Sequence, residues 1–250
     1  MLYEFVSGRH PSLSVIRNPR RIVTKVFFQT DLDWTDSLQE IKAIADRKTI
    51  PWKEISRITL EKKFSLTDKK HQGVVLISSP YPYCTLDEII DQASRVASPS
   101  FLLILDHIQD PQNLGALIRS AELSGCQGVI IPKDRACDIT TTVVKTSAGA
   151  SELIPVAQVA NINRTIETLQ KEGISVIGLE ETSGTRMLYD TDLTVPLALV
   201  IGNEGEGLKD LTRKTCDFLM EIPMQGKTAS LNASVAGGIA MFEVLRQRKK

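Results

Sequence analysis

The stretch Leu197–Phe242, LALVIGNEGEGLKDLTRKTCDFLMEIPMQGKTASLNASVAGGIAMF, predicts a strand, a glycine-rich turn, a helix, a strand, a loop and a final helix. Its first five residues, Leu197–Ile201, are apolar, which is typical of a strand buried on both faces. Three glycines follow within six residues and allow a tight turn close to a ligand. Phe218–Ile222 predicts the second strand, and Ser230 is expected to cap a helix in which four apolar residues recur at helical spacing, namely Leu231, Val235, Ile239 and Phe242.

Polar side chains in this stretch fall at strand ends and helix starts, where ligands bind in open α/β sheets: Glu204, Ser230 and Asn232. Two ordinary motifs are weaker explanations. A phosphate-binding loop ending in Gly226-Lys227-Thr228 would need glycine at position 221, where Glu221 stands and would repel phosphate. Gly205-Glu206-Gly207 is only a fragment of a dinucleotide motif. For the glycines alone, plain turns beside a solvated Glu204 are the stronger interpretation.

Three separated motifs favour a functional site over plain turns. IGNEGEGL is followed by IPM and then by SLNASVA, and the pattern Asn-x-Gly-x-x-x-Arg-x-Ala occurs upstream at Asn113–Ala121. In this order they resemble the signature motifs of the SpoU (TrmH-like) family of RNA ribose 2′-O-methyltransferases. The resemblance is close over about 150 residues and looser in the N-terminal part.

The resemblance implies methyl transfer from S-adenosylmethionine to a ribose 2′-hydroxyl of RNA by a homodimer, with no metal. It also implies a trefoil knot in the C-terminal segment, which no periodicity indicates. It assigns catalytic roles to Asn113, Arg119, Glu204, Ser230 and Asn232. The cofactor-binding residues it implies are Gly178, Leu179, Gly202, Ile222, Met224 and Leu231.

Arg119 is an unusual candidate for catalysis. Asn113 is placed to cap a helix over Leu114–Leu123, so Arg119 lies near the opposite face if both residues are helical. A guanidinium is a poor base, although a fixed cation favours the alkoxide of a ribose hydroxyl. The residues leave open whether Arg119 is a base or an electrostatic anchor, and whether Glu204 orients Arg119 or a substrate hydroxyl.

The rest of the C-terminal part predicts alternating strands and helices, and therefore a mostly parallel sheet with helices on both faces. Strands are predicted at Phe101–Leu105, Gly128–Ile131, Ile154–Val156 and Ser175–Leu179. Helices are predicted at Val143–Ser147 and Ile162–Leu169. The acids Glu180 and Glu181 follow a strand and are expected to accept hydrogen bonds from a ribose.

The N-terminal part predicts a small α/β unit that is basic. Residues 1–80 hold 14 Lys and Arg against 9 Asp and Glu, a net charge of +5 that the remaining residues cancel. Early and late clusters comprise Arg9, Arg17, Arg20, Arg21 and Lys25, then Lys62, Lys63, Lys69 and Lys70. Such a module suits phosphate binding, although a solvated charged face is an equally ordinary interpretation. With His71-Gln72-Gly73-Val74 it resembles the ribosomal-protein-like substrate-binding domain of the family's RlmB branch.

We therefore expect an RNA-binding domain at 1–80, a linker at 81–99 with helical pattern over Leu86–Val96, and a methyltransferase domain at 100–250. No apolar run is long enough to span a membrane, and no apolar signal core begins the chain. The four scattered cysteines predict free thiols and, with them, a cytoplasmic protein.

The favoured function is methylation of a guanosine of 23S ribosomal RNA, which the RlmB resemblance implies. Guanosine methylation in tRNA is the alternative within the same chemistry, and the basic N-terminal module argues against it. A non-catalytic RNA-binding protein is the alternative from another class, and the intact set of motif residues argues against that. A nicotinamide-dependent oxidoreductase would need Gly-x-Gly-x-x-Gly after an early strand, and no such sequence occurs.

Overall fold

The computed structural model describes residues 3–66, 71–182, 184–227 and 230–249. The chain divides into two compact units, one formed by Met1–Pro82 with Ile139–Leu153 and the other by Tyr83–Asp138 with Ile154–Lys250. Within the described residues no helix is both long and apolar enough to cross a membrane. The predicted cluster members Lys69 and Lys70, and Thr228 of the rejected phosphate loop, lie outside the described residues.

The elements of the first 100 residues are, in chain order, β1 Glu4–Ser7, α1 Arg9–Arg17, β2 Val23–Gln29, α2 Asp36–Arg47, β3 Trp52–Ile55, α3 Arg57–Lys63, β4 Val74–Ser78 and α4 Leu86–Ser94. The remainder forms β5 Phe101–Asp106, α5 Pro111–Leu123, β6 Gly128–Pro132, α6 Thr141–Thr146, β7 Val156–Val159, α7 Ile162–Lys171, β8 Ser175–Leu179, β9 Arg186–Met187, β10 Leu197–Gly202, α8 Asp210–Thr215, β11 Phe218–Glu221 and α9 Ala233–Arg248.

The N-terminal unit is a four-stranded sheet with strand order β1-β4-β2-β3. Along its central strands, side chains alternate between the two faces of the sheet. On one face, Phe27 and Val75 pack against Leu60 and Phe64 of the α3 region. His71 is buried before β4, and its Nδ1 accepts a hydrogen bond from the Gly73 N–H at 3.1 Å. The imidazole therefore fixes the backbone of the loop that leads into β4.

The segment 139–153 belongs to this unit through a buried polar cluster. The side chains of Arg21 and Glu152 are both 0% exposed, and Arg21 Nε lies 3.5 Å from Glu152 Oε2. Asn18 Nδ2 donates to the same carboxylate oxygen at 2.8 Å, and the Tyr81 hydroxyl donates to the Ser151 carbonyl at 2.7 Å. Burial raises the pKa of Glu152, and the charge of Arg21 opposes that shift. The cluster ties a stretch of the later chain to the N-terminal sheet.

The basic cluster of this unit is less available for RNA than its sequence indicates. Arg21 is buried, so it is not a phosphate ligand on the surface. Arg17 forms an ion pair with Glu40. Lys63 lies 5.2 Å from the ring centroid of Phe27, and its side chain is exposed to solvent at one end of α3. The positive charge of the module therefore rests on fewer free side chains than the count of 14 implies.

The second unit is built on a seven-stranded sheet with strand order β7-β6-β5-β10-β8-β11-β9, and every pairing in it is parallel. The predicted mostly parallel sheet is confirmed. Strands β5 and β10 are buried along their whole length, as their apolar sequences indicate. Strands β5, β6 and β7 follow one another toward one edge of the sheet, whereas β10, β8, β11 and β9 extend from β5 toward the other edge. The direction in which strands are added therefore changes between β5 and β10. Such a switch point places a crevice at the carboxyl ends of the strands. The trefoil knot stays a prediction.

Several boundaries differ from the sequence predictions. Helix α5 begins at Pro111 with Asp110 as its cap, whose side chain accepts from the Gln112 N–H, so the prediction of Asn113 as the cap is wrong. Helix α9 is capped by Asn232, so the prediction of Ser230 is also wrong. The predicted strand Ile154–Val156 lies two residues later, at Val156–Val159, while Ser175–Leu179 is confirmed.

Helix α9 buries a different face from the one its apolar spacing predicts. Its buried residues include Gly237, Ala240 and Met241. A Cβ at Gly237 would lie 2.4 Å from Leu117 Cδ2 of α5, so the small residues serve packing within one chain. The predicted apolar stripe is exposed, with Val235 at 50% and Phe242 at 46% of their full accessible area.

The packing of segment 139–153 can be tested at Gly149, which has a positive φ of 89°. A Cβ there would lie 2.6 Å from Ser14 Cβ of α1, whereas a Cβ at Gly173, also at positive φ, meets nothing within 4 Å. Both Gly→Ala changes carry backbone strain, but only Gly149→Ala adds a clash. We expect Gly149→Ala to lower the free energy of unfolding by about 1–3 kcal/mol more than Gly173→Ala, measured by chemical denaturation. Equal losses would contradict the packing of this segment on α1.

Candidate active site

The turn after β10 is closed by contact between two glycines. Asn203 and Gly207 exchange two backbone hydrogen bonds, each 3.1 Å long. A Cβ at Gly202 would lie 2.2 Å from the Gly207 carbonyl carbon and 2.4 Å from the Leu208 nitrogen, so no larger residue fits. Gly207 itself has a φ of 67°, a conformation that favours glycine. The glycines of this motif therefore form a small closed loop at the carboxyl end of a central strand.

The side chain of Asn203 organises the tip of the same loop. Its Oδ1 accepts hydrogen bonds from the backbone N–H groups of Gly205 at 3.0 Å and Glu206 at 2.8 Å. This short-range pattern is a known turn-forming use of asparagine. It holds Glu204 at a defined position on the loop.

A chain of side-chain hydrogen bonds connects the three sequence motifs. Asn113 Nδ2 in the first turn of α5 donates to Glu204 Oε1. Asn232 Nδ2 donates to Asn113 Oδ1 at 3.1 Å. Asn232 Oδ1 in turn accepts from the backbone N–H of Ser234 at 2.9 Å and caps α9. Each amide thus uses both its donor and its acceptor, which fixes the three elements relative to one another.

A cavity, the main cavity of this site, lies beside this chain of hydrogen bonds, over the carboxyl ends of β8, β10 and β11. Its volume is about 950 Å³, at the upper end of small-molecule sites. Apolar side chains form part of its wall: Leu179, Ile201, Ile222, Met224, Leu231, Ala233 and Ala236. Carboxylates form much of the rest: Glu180, Glu181, Glu204, Glu206 and Glu221. The wall therefore suits a ligand with an apolar ring system and positive charge.

One of these carboxylates is already engaged. Glu180 accepts hydrogen bonds from Arg213 Nη2 at 3.1 Å and from the Leu208 N–H at 3.1 Å. The carboxylate, through this hydrogen bond, raises the pKa of Arg213. Glu180 therefore supports the glycine-rich loop. Its expected hydrogen bond to a ribose stays a prediction, and its carboxylate already bonds to Arg213 and Leu208.

Most residues predicted from the motifs meet at this cavity. Its lining includes Leu179, Gly202, Ile222, Met224, Leu231, Glu204 and Ser230. Asn113 and Asn232 lie behind Glu204 as its hydrogen-bonded support. Gly178 is in the interior of β8, where a Cβ would lie 2.6 Å from Leu219 and 2.7 Å from Leu208. The structure thus gives Gly178 a packing role, and its predicted contact with a cofactor stays a prediction.

Arg119 lies apart from the cavity in the single chain. Both Arg119 and Asn113 are in α5, and their separation of six residues places them on different faces, with Asn113 buried and Arg119 exposed. Within the described residues, the Arg119 side chain makes no hydrogen bond or ion pair. Glu204 bonds to Asn113 and not to Arg119 in this part of the chain.

Sequence reasoning missed four residues of this edge: Asn203, Asp106, His107 and Asp110. The signal for Asn203 was its position two residues before a glycine, which is typical of a side-chain-closed turn. Asp110 precedes Pro111, and a capping residue before proline is a helix-start signal. Asp106 is buried at the end of β5 and accepts from the Lys209 N–H at 3.0 Å, a long-range contact that no local pattern indicates.

The described residues contain no group of three or more His, Cys, Asp or Glu side chains that could hold a metal ion. No disulfide joins the cysteines in that part of the chain, as predicted. Burial raises the pKa of Cys126 and of Cys216 to about 12, so neither thiol is a nucleophile at neutral pH.

Comparison with known proteins identifies the class of protein to which this site belongs. Residues 100–242 match the model of the SpoU rRNA Methylase family, and residues 5–84 match the model for RNA 2′-O ribose methyltransferase substrate binding. The chain belongs to the SpoU rRNA Methylase family. It is an RNA ribose methyltransferase with its own substrate-binding domain.

Particular relatives narrow the comparison. The chain is 39% identical to the 23S rRNA (guanosine-2′-O-)-methyltransferase RlmB of Vibrio vulnificus, over 99% of this chain and 98% of that protein. It is 40% identical to RlmB of Coxiella burnetii, over 92% and 90% of the two chains. The fold is similar to that of the SpoU methyltransferase AviRb from Streptomyces viridochromogenes, solved in complex with the cofactor AdoMet, with a TM-score of 0.81 and 24% identity over 98% of this chain and 90% of that chain.

The two glycines of the loop allow a matched test. Gly202→Ala places a methyl group against the Gly207 backbone, whereas a Cβ at Gly205 meets only Asn203 Oδ1, at 3.8 Å. We expect Gly202→Ala to cost about 1–3 kcal/mol of unfolding free energy and to abolish ligand binding at the cavity. Gly205→Ala should stay within about 0.5 kcal/mol of the wild type. Thermal denaturation and calorimetry with S-adenosylmethionine measure both effects, and equal behaviour of the two variants would refute the role assigned to Gly202.

Proposed function

We propose that this chain methylates the ribose 2′-hydroxyl of a guanosine in 23S ribosomal RNA, with S-adenosylmethionine as the methyl donor. The observation that carries the proposal is the hydrogen-bond chain from Glu204 through Asn113 to Asn232, which assembles three separated motifs beside the main cavity. The RlmB relatives, similar over nearly the full length of both chains, support the choice of RNA.

The main cavity fits the proposed cofactor in size and in chemistry. S-Adenosylmethionine combines an adenine ring with a sulfonium and an ammonium group, and it supplies an activated methyl group. The apolar wall formed by Ile222, Met224 and Leu231 suits the ring system. The carboxylates of Glu181 and Glu221 suit the positive charges. Phosphorylated cofactors would be repelled by the same wall.

The protein's own residues have to orient the ribose hydroxyl and handle its proton. Glu204 lies on the cavity wall with one carboxylate oxygen bonded to Asn113, so the group is held in a fixed orientation toward the site. Arg119 stabilises the developing alkoxide, since a guanidinium keeps its charge throughout. Ser230 lines the cavity near the start of α9 and positions the nucleotide. These roles keep the catalytic set Asn113, Arg119, Glu204, Ser230 and Asn232.

The functional division of the chain follows the predicted domains. Residues 1–80 hold the RNA, residues 81–99 connect and residues 100–250 carry the reaction, although 139–153 pack in the first compact unit and 83–99 in the second. We propose a cytoplasmic location, which suits a ribosomal RNA substrate. The match of residues 5–84 to a substrate-binding model supports this division, and the exposed lysines at the end of α3 supply charge for phosphate contacts.

The active unit is a homodimer. The exposed apolar side chains of Val235 and Phe242 on α9 and of Leu231 just before it suit a partner surface, and Leu123 of α5 is also exposed, at 57%. Arg119 lies one turn before Leu123 on the same helix and is exposed. A dimer through this surface allows the Arg119 of one chain to reach the cavity of the other, although Arg119 does not line the cavity of its own chain.

The reaction is tested by transfer of labelled methyl groups from S-adenosylmethionine to total RNA, followed by separation of 23S RNA, 16S RNA and tRNA. We expect label in 23S RNA at one guanosine ribose. Arg119→Ala should lower transfer by at least about 100-fold, because the developing negative charge loses its cation, while calorimetry shows unchanged cofactor affinity. Label confined to tRNA would overturn the choice of substrate. No label in any fraction, despite bound cofactor, would favour a binding-only protein.

The dimer is tested by mixing two inactive chains. An Arg119→Ala chain and a Glu204→Gln chain, carrying different tags, are co-expressed and the mixed dimer is purified. If the arginine acts across the interface, one of the two sites is complete and the mixed dimer has about half the wild-type rate. If both residues act within one chain, the mixed dimer is as inactive as either parent.

A further inference from the structure

A second cavity lies on the other side of the glycine-rich loop. It has a volume of about 420 Å³ and sits over the carboxyl ends of β5 and β6. The loop Asn203–Glu206 lines both cavities, so it forms the wall between them. The rest of its lining is formed by His107, Gln109, Arg135 and Lys209. None of these four residues was among the predicted site residues.

The two cavities differ in charge. Among the described residues, Arg135 and Lys209 line the smaller cavity and not the larger one. Their side chains make no hydrogen bond or ion pair within the described residues, so both remain available to a ligand. The carboxylates of Glu204 and Glu206 belong to the shared loop, and Glu204 is bonded to Asn113. The lining of the smaller cavity outside the shared loop therefore carries positive charge.

The backbone is arranged to present two of these side chains. His107 and Arg135 follow the adjacent strands β5 and β6, and both have left-handed backbone conformations, with φ of 63° and 56°. Non-glycine residues adopt that region infrequently because of steric strain. His107 is further held by Asp106, whose Oδ1 lies 2.5 Å from the ring Nδ1 and whose side chain is fully buried. This contact leaves Nε2 as the available ring nitrogen.

We propose that this smaller cavity is a binding subsite for a backbone phosphate of the RNA next to the ribose that is methylated. A guanidinium, an ammonium and an imidazole are the groups that proteins use to bind phosphate oxygens. The subsite rests on the proposed RNA substrate, and it places the phosphate across the loop that carries Glu204. The loop thus separates a carboxylate-rich cavity for a cationic cofactor from a cavity that alone holds Arg135 and Lys209, which suit an anionic chain.

Another source of anion is the carboxylate of S-adenosylmethionine itself. The position of Arg135 and Lys209 outside the lining of the larger cavity favours the RNA phosphate. The experiment therefore measures RNA and cofactor separately. It uses Arg135→Ala and Lys209→Ala, with Lys133→Ala as the matched control, since Lys133 is exposed, lies two residues from Arg135 and does not line either cavity.

Binding of a fluorescein-labelled oligouridylate is measured by anisotropy over a range of salt concentrations. We expect Arg135→Ala and Lys209→Ala each to weaken binding about tenfold and to reduce the slope of log affinity against log salt by about one. Cofactor affinity by calorimetry and the melting temperature should be unchanged, which excludes misfolding. Arg135→Lys should recover part of the binding because it keeps the charge and loses the planar fork.

Three results would overturn the subsite. An equal loss in Lys133→Ala would mean that general surface charge is responsible. Weaker cofactor binding with unchanged oligouridylate binding would assign the cations to the carboxylate of the cofactor. Unchanged binding of both would leave the cavity without this role. Because oligouridylate binding needs no methyl transfer, an inactive wild type that still shows the Arg135 effect would refute the proposed reaction and keep the phosphate subsite.

Discussion

The contact between Gly202 and the backbone of Gly207 is the constraint on which the site depends. It closes the turn after β10 so tightly that no side chain fits. Because β10 lies between β5 and β8, this turn stands at the middle of the carboxyl edge of the sheet. The loop it closes positions Glu204, and it divides the edge into two cavities. A wider turn would merge the two and remove the support for Glu204.

The hydrogen-bonded amides give this arrangement its precision. An asparagine in the first turn of a helix ordinarily competes with the backbone, yet Asn113 is buried and uses both ends of its amide on side chains of other elements. Asn232 combines two tasks, since its carbonyl oxygen caps α9 while its nitrogen reaches Asn113. Asn232 therefore both caps α9 and supports Asn113 beneath Glu204, so the position of α9 and the orientation of Glu204 are coupled.

Local sequence predicted the elements well and their assembly poorly. The apolar runs of β8 and β10 were sufficient to predict those strands, because burial on both faces leaves a plain signal. The insertion of β10 between β5 and β8 depends on long-range pairing that no local pattern carries. Ser230 and Asn232 are both good capping residues, and the choice between them is made by the hydrogen bond to Asn113. The spacing of Asn113 and Arg119 correctly indicated different helix faces, whereas the periodicity of α9 showed an apolar stripe without showing that it is exposed.

Residues 139–153 leave the catalytic unit and pack in the N-terminal unit. This excursion limits where the chain can be recombined or truncated. In the linear gene the substrate-binding part looks like a cassette that recombination could exchange at one boundary. The folded chain has three crossings between its units, because it leaves the catalytic unit after Asp138 and returns at Ile154. A shuffled or truncated version that keeps the catalytic part alone would leave Glu152 without its partners Asn18 and Arg21. Exchange of the RNA-binding part is therefore compatible with folding when it carries a matching surface for this excursion, so the two parts are constrained to evolve together.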